Sequence, residues 1–86
     1  MNKDEARQML SEQLAQYRDR HYGDLMTLIG KRRDVIVVGP SGTKYGIEIQ
    51  VVWDDRPGGD IRVLGTVDDG GLRAFLPLTE SIIIER

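Results

Sequence analysis

Alternation of apolar and polar residues along Lys44–Trp53 is the feature that most restricts the fold of this chain. A period of two residues is typical of a β-strand that buries one of its faces. Two further apolar segments, Asp34–Val38 and Ile61–Val67, flank this stretch and fit the same pattern. A slip of one residue in either pairing would move a whole apolar set to the other face. The three segments together therefore predict an antiparallel sheet with one apolar face.

The turn between the first two strands is predicted from Gly39-Pro-Ser-Gly-Thr43. Pro40 and Ser41 suit a type I turn, and Gly42 suits the left-handed position that follows it. This hairpin pairs Val37 with Tyr45. A phosphate-binding loop is disfavoured, because the required Gly-Lys pair is missing and a strand follows instead of a helix.

The later turns set the rest of the predicted sheet. Pro57-Gly58 suits a type II turn, and its loop places Trp53 opposite Ile61. Asp69-Gly70 is interpreted as a type I′ turn with positive φ at both residues, which starts a fourth strand over Leu72–Leu78. In that register Val67 faces Leu72, Gly65 faces Ala74, Val63 faces Leu76 and Ile61 faces Leu78; Ile82–Glu85 is a candidate fifth strand.

The segment before the sheet is predicted to be helical. Asn2 and Glu5 fit a capping box at the start of the first helix, and Gly23 is predicted to end it. A second helix over Leu25–Ile29 would be capped by Asp24 and closed by Gly30. The apolar stripe of the first helix has three- and four-residue spacing and comprises Ala6, Leu10, Leu14, Tyr17 and His21.

The predicted fold class is α+β: one or two N-terminal helices packed on a four- to five-stranded antiparallel β-meander. The 86 residues form a single domain at 1–86, helical over 2–29 and sheet over 34–85. The net charge of −2 and the absence of an apolar run of membrane-spanning length predict neither nucleic-acid nor membrane binding. The absence of cysteine fits a cytoplasmic protein.

The second face of the predicted sheet is the candidate functional surface. Its rows across three strands read Glu48–Thr66–Arg73, Gln50–Leu64–Phe75 and Val52–Arg62–Pro77. Apolar residues ringed by charged groups resemble a contact surface more than a solvated sheet face. The alternatives are that the C-terminal isoleucines or the second helix cover this face, or that it is a mixed solvated face. The predicted binding residues are Glu48, Gln50, Arg62, Leu64, Arg73 and Phe75.

Catalytic, metal and cofactor sites are not predicted. The chain has one histidine and three serines, and no serine lies beside a base in the sequence. The aspartates of 54–60 and of 68–69 belong to loops at opposite ends of the strands and lack the spacing of a calcium loop. The short basic run Lys31–Arg33 is interpreted as solvated charge.

The motifs Trp-Asp…Pro-Gly-Gly at 53–59 and Asp-Asp-Gly-Gly…Arg-Ala-Phe at 68–75 resemble a family of small bacterial domains of uncharacterised function. The resemblance covers residues 42–78 and implies a bacterial, intracellular α+β domain. It implies no activity and assigns no residue a role.

The leading functional hypothesis is a non-catalytic protein-interaction module of the adaptor or immunity type, bound to a protein partner or to other copies through the second sheet face. The alternative is a small anionic-ligand-binding domain or weak hydrolase in which Arg62 and Arg73 hold the anion.

Overall fold

Two helices precede a sheet of four antiparallel strands in the computed structural model, which describes residues 2–70 and 78–86. The strands lie in the order β1-β2-β3-β4, so each pairs with its neighbour in sequence. The predicted α+β class and antiparallel meander are thereby confirmed, with four strands and one long helix. The elements are α1 (Lys3–Arg18), α2 (Tyr22–Met26), β1 (Arg32–Val38), β2 (Lys44–Trp53), β3 (Ile61–Asp68) and β4 (Leu78–Ile84).

Helix α1 begins where the sequence predicts. The Asn2 side chain accepts a hydrogen bond from the Glu5 backbone N–H at 3.1 Å, which satisfies one of the unpaired donors of the first turn. The helix packs chiefly on β3 and β4. Its buried side chains are Ala6, Met9, Leu10, Leu14 and Tyr17.

The predicted ends of the helices need correction. Helix α1 ends at Arg18, and Gly23 lies inside α2 instead of ending α1. The Asp24 and Leu25 backbone N–H groups both donate to the His21 carbonyl, at 3.0 and 3.1 Å, so α2 starts earlier than predicted. His21 is therefore the exposed N-cap of α2 and does not belong to the apolar stripe.

The registers of the first three strands are confirmed. Val37 faces Tyr45 across β1 and β2, and Trp53 faces Ile61 across β2 and β3. The apolar residues of these strands share the face on which α1 lies, with Tyr45, Ile47, Ile49, Val51, Ile61, Val63 and Val67 all buried.

The register predicted for the fourth strand is wrong. Strand β3 pairs with Leu78–Ile84, which overlaps the candidate fifth strand, so that Val67 faces Leu78 and Ile61 faces Ile84. Leu72 and Leu78 are an even number of residues apart, so both registers put apolar side chains on the same face. Pro77 has no backbone N–H to donate to a ladder, and β4 begins directly after it. The predicted pairings of Leu72, Ala74 and Leu76 involve residues outside the described part of the chain.

The turn after β3 also differs from the prediction. Gly70 has a φ of 74°, but every positive φ among the described residues belongs to a glycine, so Asp69 does not fit a type I′ turn. The Asp68 carboxylate instead accepts a hydrogen bond from the Gly70 N–H at 2.8 Å. A side chain that bonds its own backbone two residues on is a common turn device of aspartate.

Gly65 allows α1 to lie close to the sheet. A Cβ placed at Gly65 would be 2.5 Å from Leu10 Cδ1 and 3.2 Å from Leu14 Cδ2. The helix therefore approaches the sheet closely at this glycine. No described helix is long and apolar enough to cross a membrane.

Candidate functional site

The sheet face opposite α1 carries the predicted site and is called the open face here. It is built by the side chains that alternate with the buried ones on each strand. Its members in the described part of the chain include Ile36, Val38, Glu48, Gln50, Val52, Arg62, Leu64, Thr66 and Ile83.

The observed β4 register changes the predicted rows of this face. They read Glu48–Thr66–Thr79, Gln50–Leu64–Ser81 and Val52–Arg62–Ile83. The predicted juxtaposition of Glu48 with Arg73, and of Leu64 with Phe75, is therefore not what β4 provides. Arg73 and Phe75 lie outside the described residues. Glu48, Gln50, Arg62 and Leu64 share the face as predicted.

Arg62 is held by neighbouring polar groups. Its Nε donates to Asp54 Oδ1 at 2.9 Å, its Nη2 lies 2.7 Å from the same oxygen, and its Nη1 donates to Ser81 Oγ at 2.8 Å. The contacts with Asp54 and Ser81 together join the β2–β3 loop to β4 and fix the guanidinium. Arg62 therefore acts as a cross-strand clamp at one end of the open face.

Glu48 and Gln50 belong to a second polar group at the β1 side. Gln50 Nε2 donates to Glu48 Oε1 at 3.1 Å. Arg32 lies between two carboxylates, 3.8 Å from Glu48 and 3.3 Å from Asp34. These contacts are exposed, so each stabilises the fold by only about 0–1 kcal/mol. Their main effect is to set the charge pattern around the apolar residues of the face.

Strand β1 is the most exposed part of the open face. The side chain of Ile36 is 74 % exposed and that of Val38 is 61 % exposed. Because β1 is an edge strand, one side of its backbone has no neighbour among the described strands. The Gly39 N–H donates to the Thr43 carbonyl at 2.9 Å, and bonded pairs alternate along an antiparallel ladder. The even-numbered β1 residues therefore direct their backbone N–H and C=O groups to the free edge.

A shallow depression of about 310 Å³ lies beside Ile36. Gly46 forms part of its floor because it has no side chain, and Thr66 lies on its far side. Three carboxylates surround it, those of Asp34, Glu48 and Asp68. The depression is therefore acidic next to an exposed isoleucine.

The elements expected to cover this face lie elsewhere. Ile82 is buried in the core and Ile84 packs against it, because β4 extends the sheet instead of folding over it. Helix α2 lies on the α1 side: Leu25 is buried in the core, and the Tyr22 ring is 6.5 Å from the Trp53 ring between centroids. Within residues 2–70 and 78–86, neither the isoleucines nor α2 covers the open face.

Sequence reasoning missed a polar cluster around Glu5. Its carboxylate accepts from Tyr45 OH at 2.6 Å, Ser41 Oγ at 2.6 Å and the Ser41 N–H at 3.0 Å. The capping motif indicated a local role for Glu5, whereas its partners are 36 and 40 residues away. The hydrogen bonds from Ser41 and Tyr45 lower the pKa of the Glu5 carboxyl. A carboxylate with a lowered pKa is a weak base for activating a serine. The hydrogen bonds of Glu5 instead join α1 to the β1–β2 hairpin.

The Glu5 cluster predicts a specific pH dependence of stability. Because the folded-state pKa of Glu5 lies below its usual 4.5, its contribution is present above pH 4.5 and is lost as pH falls through the folded value. The hydrogen bond to Glu5 raises the pKa of Tyr45 above 10.0, so stability also falls as pH rises beyond 10. Urea unfolding from pH 3 to 11 measures both losses.

Two variants assign those losses to their groups. The difference in unfolding free energy between the wild type and Glu5→Gln is expected to shrink below pH 4.5. The difference between the wild type and Tyr45→Phe is expected to shrink above pH 10. Differences that stay constant across both ranges would show that neither group titrates differently in the folded state.

Three of the loop aspartates accept hydrogen bonds or an ion pair from described residues. Asp54 binds Arg62, Asp60 accepts from the Arg86 N–H at 3.0 Å, and Asp68 accepts from Gly70. The described residues contain no group of three or more histidine, aspartate or glutamate side chains placed to hold a metal ion.

Comparison of the chain with protein families, curated proteins and solved structures found no match. The resemblance over residues 42–78 stays a prediction.

Proposed function

We propose that this chain is a non-catalytic protein-interaction module that acts in a bacterial cytoplasm and binds through the open face and the free edge of β1. The observation that carries the proposal is the exposure of Ile36 and Val38 on an edge strand, at 74 % and 61 %. An unpaired edge bearing exposed β-branched residues is a ready template for another strand.

The packing of α1 adds to this argument. Helix α1 lies chiefly over β3 and β4, so Val35 and Val37, on the helix side of β1, are only half-buried. Strand β1 thus has apolar side chains available on both faces in addition to its free backbone groups. A strand added at this edge would bury the apolar side chains on both faces of β1 together with its free backbone groups.

A second copy is the simplest partner for this edge. Two β1 strands paired antiparallel about Val35 would set Arg32 opposite Val38 and Asp34 opposite Ile36. This register engages the outward backbone groups of all four even-numbered residues, and it places no like charges directly opposite. Pairing about Asp34 would oppose two carboxylates, which disfavours that register.

The acidic depression indicates the side chains that a partner would carry. Asp34, Glu48 and Asp68 surround a hollow beside Ile36. A partner with an apolar residue and a neighbouring lysine or arginine would match both features, and complementary charge speeds and orients association.

The alternative, an anion held by Arg62 and Arg73, has less support. Arg62 already donates to Asp54 and Ser81, so its guanidinium would have to leave these contacts before binding an anion. Glu48 and Asp54 also make this region unfavourable for negative charge.

Ile36→Glu tests the proposed surface. Because the Ile36 side chain is 74 % exposed, its replacement is expected to change the unfolding free energy of the monomer, measured at dilutions where the wild type is dissociated, by no more than about 0.5 kcal/mol. It is expected to abolish association, since a glutamate would oppose Asp34 of the second copy. Sedimentation equilibrium and urea unfolding of the same preparations measure the two effects.

Met26→Glu is the matched control, because Met26 is 46 % exposed but lies on α2. It adds the same charge away from the open face, so it should leave association intact. A wild-type chain that stays monomeric to millimolar concentration would exclude the second copy. Capture from the host with the wild type and both variants then tests other partners. The interaction-module proposal is contradicted if no protein is captured by the wild type and lost in Ile36→Glu.

A further inference from the structure

A cavity beyond the C-terminal end of α1 differs in chemistry from the open face. Its volume is about 200 Å³, and it lies between the end of α1, the segment after α2, and the helix-side surface of β1 and β2. Its lining consists of four apolar or aromatic residues and four basic ones: Tyr17, Leu28, Ile49, Val51, Arg20, Lys31, Arg32 and Arg33.

The backbone fixes the position of this cavity. The Gly30 N–H donates to the Val51 carbonyl at 2.9 Å, and Ile29 forms a parallel bridge with Val51. The Lys31 N–H donates to the Leu28 carbonyl at 2.9 Å. The segment that carries Leu28 and Lys31 is therefore pinned against β2. Helix α1 ends at Arg18, which leaves this end of the sheet accessible.

Three cations at the cavity lack a carboxylate partner. No described carboxylate lies within 4.0 Å of Arg20, Lys31 or Arg33, in contrast to Arg32, which lies by Asp34 and Glu48 on the open face. Arg20 is positioned by a different contact, with its guanidinium carbon 5.1 Å from the centre of the Tyr17 ring. A cation–π contact orients the group without neutralising its charge.

The charge of this cavity is opposite in sign to the net charge of the chain. The protein carries a net charge of −2, yet no carboxylate lines this cavity. Gathering like charges at one cavity is unfavourable unless a counter-ion reduces their repulsion. A helix C-terminus favours nearby cations, which accounts for Arg18 and Arg20 but not for Lys31 or Arg33.

We propose that this cavity binds a small organic anion, with its charged group among Arg20, Lys31 and Arg33 and its apolar body against Leu28 and Val51. The cavity of about 200 Å³ is smaller than the ~300–1,000 Å³ pockets of drug-sized ligands, so it suits a small anion. An apolar floor with a few convergent polar groups is the usual composition of a small-molecule site. This site lies on the helix side of the sheet and shares only β1, through Arg32 and Arg33, with the proposed interaction surface.

Phenyl phosphate is the probe that combines both features, and inorganic phosphate and phenol each carry one of them. Titration of the ¹⁵N-labelled chain, followed by amide chemical shifts, is expected to give saturable changes with phenyl phosphate at residues 28–33 and 49–51. Inorganic phosphate and phenol are each expected to bind about tenfold more weakly. Equal affinity for inorganic phosphate would contradict the apolar part of the proposal. Shifts scattered over the surface, or none that saturate, would overturn the site.

Charge-removing variants separate this site from general electrostatics. Arg20→Gln combined with Arg33→Gln is expected to weaken phenyl phosphate binding about tenfold. Arg18→Gln is the matched control, since Arg18 lies at the same helix end but does not line the cavity, and it should leave the affinity unchanged. An equal loss in the control would overturn the proposal. The amide spectrum reports directly whether each variant folds. If the double variant does not fold, Lys31→Gln, at an exposed loop position, replaces it with the same expected direction.

Discussion

Replacing Leu10 with alanine is expected to lower the free energy of unfolding by about 2–5 kcal/mol, the largest effect foreseen for this chain. The Leu10 side chain is fully buried, and its Cδ1 occupies the space above Gly65. Truncation removes apolar contacts and leaves a cavity that a rigid sheet fills poorly. Urea unfolding, followed by circular dichroism, measures the loss.

A second substitution at Gly65 makes this prediction specific. In the wild type, Gly65→Ala places a Cβ 2.5 Å from Leu10 Cδ1, so it is expected to destabilise the fold by about 1–3 kcal/mol. In the Leu10→Ala background the same Cβ would enter the vacated space and cost little. The double-mutant cycle of Leu10→Ala and Gly65→Ala is expected to show a coupling energy of about 0.5–3 kcal/mol. Additive effects would mean that Leu10 does not lie above Gly65.

Gly39→Ala is expected to give a loss similar to that of Gly65→Ala, about 1–3 kcal/mol. A Cβ at Gly39 would lie 2.7 Å from Glu5 Oε1 and 2.9 Å from Tyr45 Cε2. Neither neighbour moves readily, because the Tyr45 ring is buried and the Glu5 carboxylate is held by three hydrogen bonds. Chemical denaturation at pH 7 measures the loss.

Gly23→Ala provides the control for Gly39→Ala. Gly23 lies within α2, and a Cβ there meets no atom within 4 Å. The change is expected to leave stability unchanged or to raise it by about 0.4–1 kcal/mol, because alanine restricts the unfolded chain. Similar losses at both glycines would contradict the close approach of Glu5 and Tyr45 to Gly39.

Local chemistry explains which parts of the fold were predictable. The turn at Gly39–Thr43 and the loop at Asp54–Asp60 each fix one pairing, and the alternation along β2 agrees with both. The fourth strand was misplaced because a shift by an even number of residues preserves the apolar face. Pro77 carried the missing signal, since a proline inside a strand argues against that strand.

The candidate site was predictable only as a surface. Alternation along β2 and β3 placed Glu48, Gln50, Arg62 and Leu64 on one face. It did not reveal that Arg62 binds Asp54 and Ser81, because that contact depends on the position of β4. The Glu5 cluster was missed for the same reason: its bonds connect residues far apart in sequence, and local patterns carry no signal for such pairs.

The packing of α1 on β4 has a consequence for the order of folding. Arg7 Nε lies 3.1 Å from Glu80 Oε1, and Ser11 Oγ donates to Glu80 at 3.3 Å across 69 positions of sequence. During synthesis α1 leaves the ribosome before the four strands, and β4 follows every other described element. The β1–β2 hairpin closes over a short span, whereas the contacts of α1 with β4 have to wait for Leu78–Ile84. Non-local closure of this kind slows folding. The part of α1 that packs on β4 therefore stays uncovered until β4 emerges, a period in which a chaperone that holds apolar segments has access to it.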